Sequence, residues 1–115
     1  MENLPATLQG ERETLTKCLQ AMDRALPLRA VYLFGSHARG DARPDSDVDL
    51  CIVADGAAKQ LEAAQSFCRA IRRIRPKPSF TIVPITPERL SEKRSIRDFF
   101  YETVLKEGVH LAEEN

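Results

Sequence analysis

At 115 residues, with 17 lysines and arginines balanced by 17 aspartates and glutamates, the chain has room for one core. It has no net charge to draw it toward nucleic acid or a membrane surface. No apolar run approaches the roughly 20 residues that cross a bilayer, and "MENLPATLQGERETLTK" lacks the basic start and apolar middle of a signal peptide, so the reading is a cytoplasmic protein.

From Thr7 to Ala25 the residues Leu8, Leu15, Cys18, Leu19, Met22 and Leu26 recur at three- and four-residue steps, which predicts an amphipathic helix stopped by Pro27. "RAVYLFG" is a short apolar run with β-branched and aromatic residues ended by Gly35, and reads as a buried strand. After the loop "HARGDARPDS", "DVDLCIVA" alternates and then becomes continuously apolar, as a central strand does. The next segment predicts a helix capped at Asp55 or Gly56, with Leu61, Ala64, Phe67, Cys68, Ile71 and Ile74 inward and Pro76 and Pro78 closing it.

"SFTIVPI" reads as a third strand, and Pro84, which has no N–H to give a ladder, assigns it to a sheet edge. "TPERLSEK" is a helical turn with Thr86 as cap and Pro87 in its first turn. "SIRDFFYETVLKEG" reads as a last helix with Ile96, Phe99, Phe100, Val104 and Leu105 inward and Gly108 as its stop, and "VHLAE" adds a short edge strand. The sum is one domain over residues 1–115, an N-terminal helix (1–28) and a core (29–115), of α/β (α+β) class with helices packed on a small mixed sheet.

The chemistry concentrates in "FGSHARGDARPDSDVDL". Residues two apart on a strand share a face, so Asp47 and Asp49 project together and their carboxylates converge on one cation of the magnesium type. Without a cation the two would raise each other's pKa. Gly35 permits a sharp turn and close backbone approach to a ligand, Ser36 caps the short helix "SHARG", and Arg39 and Arg43 add positive charge. Backbone donors on one side and two aspartates on the other make the parts of a phosphoryl- or nucleotidyl-transfer centre.

Gly35-Ser36, Ala38-Arg39-Gly40, Ser46-Asp47 and Asp49-Leu50 resemble the signature of the minimal nucleotidyltransferases, the small members of the DNA polymerase β-like superfamily that pair with HEPN-domain toxins. The resemblance runs from about Arg29 to the C-terminus, including "ITPERL" and "LKEGVHLAEE". It implies a polymerase β-like mixed sheet, ATP with Mg²⁺, and transfer of AMP to a hydroxyl, in the antitoxin branch a tyrosine of the toxin. It also implies that Gly35, Ser36, Arg39 and Ser46 hold the nucleotide and that Asp47 and Asp49 are the catalytic metal ligands. The superfamily's third carboxylate falls near Thr81, which is not an acid, so a second expectation is a catalytically weak module that neutralises its partner by stoichiometric binding.

The remaining polar and aromatic residues read as structural. His37 is expected to be a partly exposed turn residue, and His110, Tyr32 and Tyr101 packing residues. Arg69, Arg72, Arg73, Arg75 and Lys77 read as a solvated helix face. Cys18, Cys51 and Cys68, odd in number and without metal-ligand spacing, read as free buried thiols, with neither zinc nor a disulfide. Phe99, Phe100 and Tyr101 cannot all face inward from one helix, which leaves at least one exposed or at an interface and modestly supports a protein partner.

Overall fold

The computed structural model describes residues 1 and 3–113. Four extended segments, β1 (Leu28–Phe34), β2 (Val48–Ala54), β3 (Phe80–Ile85) and β4 (Val109–Glu113), form one sheet in the order β3-β2-β1-β4. β1 runs antiparallel to both β2 and β4, while β2 and β3 are parallel, so the sheet is mixed. The parallel pair needs a crossover, and α3 (Gln60–Ile71) supplies it. Pro84 lies on edge strand β3, where its missing N–H costs no inner ladder bond.

Strand alternation sends side chains to two cores. On one face Val31, Leu33, Leu50 and Ile52 meet Leu15, Cys18 and Met22 of α1 (Arg12–Ala25) and Phe67 and Ile71 of α3. On the other, Cys51, Val53 and Ile85 meet Tyr101 and Val104 of α5 (Phe99–Glu107) and Leu90 of α4 (Pro87–Ser95). β2 is covered on both sides, which accounts for its continuous apolar run. Each fully buried side chain such as Phe67 or Met22 contributes about 1.5–3 kcal/mol from the area removed from water.

The structure departs from the sequence reading in places. The first turns, Ala6–Glu11, are 3₁₀ rather than α and pass through Gly10, a poor helix residue, so α1 begins at Arg12. α3 has Lys59 at its N-cap; Asp55 instead ends β2 in a turn where Gly56 has φ 84°. Phe67 and Ile71 are buried and Ile74 packs on the core as expected, but Ala63 rather than Leu61 and Cys68 completes the buried stripe, which leaves Leu61 73% exposed and Cys68 in solvent. Two stripes of small and apolar residues overlap on this helix, and packing on the sheet selects between them.

Between α4 and α5 the backbone turns at Arg97, whose φ is 56°, and Asp98 caps α5 by accepting from the Tyr101 N–H at 3.2 Å. The break turns Ile96 and Phe99 outward, not inward, with Phe99 85% exposed, and leaves Phe100 exposed as well. Thr86 caps α4 as its spacing indicated, accepting from the Arg89 N–H at 3.1 Å.

Candidate active site

β1 ends at Phe34, which pairs with Asp49 at the start of β2, so the strand register sets Asp49 beside Gly35. Gly35 has φ 75°, a conformation that favours glycine, and a Cβ there would overlap the Asp49 Oδ2. The missing side chain is the space the carboxylate occupies. The chain then turns directly into α2 (Ser36–Arg39), in which Gly35 is the N-cap residue and Ser36 the first helical one. The expected Ser36 side-chain cap is therefore not formed.

Asp49 is half-buried, and burial pushes its carboxyl above the usual range; the nearby Asp47 charge pushes the same way, against the Thr81 hydroxyl, His37 and Arg39, which favour the anion. Thr81 is the direct partner of Asp49 in the parallel β2–β3 register. A side chain at position 81 thus stands on the same face beside Asp49, and the sequence places a neutral hydroxyl there.

A cleft of about 350 Å³ gathers Gly35, Ser36, Arg39 and Asp49 against Phe100, Thr103 and Glu107 of α5. Phe34 and Phe100 meet edge to face at 5.4 Å and give the cleft an apolar wall. Gly108 lets the end of α5 approach β1, since a Cβ there would overlap the Val104 carbonyl and lie 2.9 Å from that of Leu33. Thr103 and Glu107 were not singled out in the sequence. Their spacing with Phe100 marks one helical face, but only the fold aims that face at the Gly-Ser turn.

Asp47 precedes β2 and is exposed, and neither it nor Ser46 lines this cleft. The Ser46 hydroxyl accepts from the Arg43 N–H at 2.8 Å and its own N–H donates to the Arg43 carbonyl at 3.0 Å, which braces the loop leading into Asp47. Arg39 is exposed, with its Nε 3.5 Å from Asp41 Oδ2, a loose pair that leaves the guanidinium available. His37 is buried, at 6% exposure, rather than partly exposed as its turn position suggested: Nδ1 lies 2.9 Å from Thr7 Oγ1 and ties α2 to the 3₁₀ segment.

The nucleotidyltransferase domain model matches residues 15–109. The chain belongs to the nucleotidyltransferase domain family. Among solved structures, this nucleotidyltransferase domain is similar to a protein of Sulfolobus solfataricus described provisionally as a nucleotidyltransferase, at 21% identity over 89% of this chain and 79% of that one, with a TM-score of 0.58. It is also similar to a toxin–antitoxin protein crystallised with AMP-PNP, at 23% identity over 87% and 73% of the two chains, with a TM-score of 0.54. Both likenesses are of fold. No curated protein matches the sequence.

The donor set of this nucleotidyltransferase domain fits a hard divalent cation. Asp49 is held half-dehydrated with a second carboxylate close enough to raise its pKa, and cationic charge there relieves both effects. Among the described residues no group of three or more His, Cys, Asp or Glu side chains converges, so any ion would rely on two carboxylates plus water and phosphate oxygens.

Proposed function

We propose that the protein is a Mg²⁺-dependent nucleotidyltransferase that moves AMP from ATP to a hydroxyl of a partner protein, a HEPN-domain toxin whose activity it restrains. The observation that carries this reading is the Asp49 carboxylate lying on the side-chain-free surface of Gly35, at the mouth of a cleft sized for part of a nucleotide. In the reaction the acceptor oxygen bonds to the α-phosphorus as the bond to pyrophosphate breaks, and the hydroxyl proton passes to solvent or a base.

Each residue has a role in this reading. Asp47 and Asp49 hold the cation; Gly35 and Ser36 bring backbone close to the triphosphate; Arg39 supplies charge-assisted contacts; and Ser46 joins them from the loop it braces. A bound Mg²⁺ would neutralise phosphate charge and ease ionisation of the acceptor hydroxyl. Residues 1–115 act as one unit in this proposal, working in the cytoplasm, and among the described residues no helix is long and apolar enough to cross a membrane. The fold-level likeness to a toxin–antitoxin protein and the outward-facing Phe99 support a protein acceptor.

The test is incubation with α-labelled ATP, Mg²⁺ and a HEPN-domain protein that forms a complex with it. Label on that partner is the expected result, and a formed complex with no label counts against transfer. Thr81 favours a second reading, neutralisation by binding with slow or absent chemistry, because a hydroxyl beside Asp49 adds no charge to a metal site. Asp47→Asn with Asp49→Asn separates the two: intact neutralisation by that variant supports binding alone.

A further inference from the structure

The molecule is neutral overall, yet from residue 63 to 87 it contains no aspartate or glutamate, while Arg69, Arg72, Arg73, Arg75 and Lys77 all fall within that stretch. The fold gathers four of these cations, Arg69, Arg72, Arg75 and Lys77, around a groove of about 600 Å³ between the end of α3 and the start of β3. Two of them already have neutral partners: Lys77 donates to the Ile74 carbonyl at 3.0 Å, and Arg69 to the Ser66 hydroxyl at 3.3 Å. Arg72 and Arg75 are exposed and, among the described residues, have no carboxylate partner.

The position of the groove is informative. Its floor includes Ser79 and Phe80, and the Ser79 carbonyl accepts from the Val48 N–H at 2.8 Å, between Asp47 and Asp49. A chain lying along the groove therefore arrives at the end of the sheet that carries both aspartates. We infer that this groove docks an acidic segment of the acceptor protein and so delivers its hydroxyl to the neighbouring site. The inference rests on the proposed transfer to a protein.

Three observations favour a peptide over RNA. The sequence pI is about 6.7, far from the strongly basic balance of nucleic-acid-binding domains. Phe80, the one aromatic residue of the groove, packs into the core and offers no face for a base to stack on. Pro78, partly exposed on the groove lining, gives apolar footing for aliphatic side chains, while arginine forks match carboxylates two oxygens at a time.

Fluorescence anisotropy of a labelled decaglutamate peptide, titrated with the whole protein at low salt without nucleotide or divalent cation, tests the inference. Binding should weaken as NaCl rises and should be about tenfold weaker for Arg72→Gln/Arg75→Gln, the loss of two charge-assisted contacts. Arg24→Gln/Arg94→Gln, exposed exchanges on α1 and α4, should bind like the wild type. Equal loss in both double variants, no loss in the groove variant, or tighter binding of an oligoadenylate RNA of equal length would each overturn it. Because no nucleotide is present, a failed groove leaves the transfer reading standing. An Asp49→Asn protein that no longer transfers should still bind the peptide.

Discussion

The Asp49 carboxylate lies against the Cα of Gly35, in space that any side chain at position 35 would occupy. Gly35→Ala therefore combines two penalties, a Cβ at φ 75° and a displaced carboxylate. Urea denaturation should show a loss of about 1–3 kcal/mol, and labelled-ATP transfer should fall at least as far as in an aspartate variant. Unchanged stability would mean that the turn relaxes without cost.

Asp49→Asn should separate stability from function. Burial raises the Asp49 carboxyl pKa, so the folded state binds a proton more readily than the unfolded chain and stability falls as pH rises through that range. Replacing the acid removes this cost at neutral pH. Thermal denaturation at pH 7 without metal should give a Tm about 2 °C above wild type, with the difference closing at pH 3, where both forms are neutral. Transfer should drop by about a hundredfold or more.

Thr81→Asp tests the neutral position beside Asp49. In the parallel register the new acid stands next to the old one, so in EDTA the Tm should fall below wild type, and Mn²⁺ should restore it. Calorimetry should show Mn²⁺ binding about tenfold tighter than in wild type. Affinity equal to wild type would show that position 81 does not face the metal.

The cysteines differ in reactivity. Burial pushes the Cys51 thiol up to about 12 and raises that of Cys18 as well, whereas Cys68 is exposed. Raised values leave little thiolate at pH 8, so a disulfide-exchange reagent should titrate one fast thiol in the native protein and all three in denaturant. Two fast thiols would indicate that one sheet face opens.

Thr7→Val removes the partner of the buried His37 and keeps the shape of the side chain. The expected cost is about 1–2 kcal/mol by urea denaturation, and little of it should remain in a His37→Leu background. Additive losses would show that the pair is not coupled.

The sequence by itself determined the order of strands and helices, the edge position of the Pro84 strand and the Thr86–Pro87 helix start. It also singled out Gly35 and Asp49, because strand period and turn chemistry are local properties. Only the tertiary structure decided which stripe of α3 is buried, that Phe99 faces solvent and that His37 does not. It also decided that Glu107 and Thr103 share a cleft with residues some seventy positions away. Those outcomes depend on the phase with which each helix meets the sheet. That phase is set by packing between segments remote in the chain, and no local pattern encodes it.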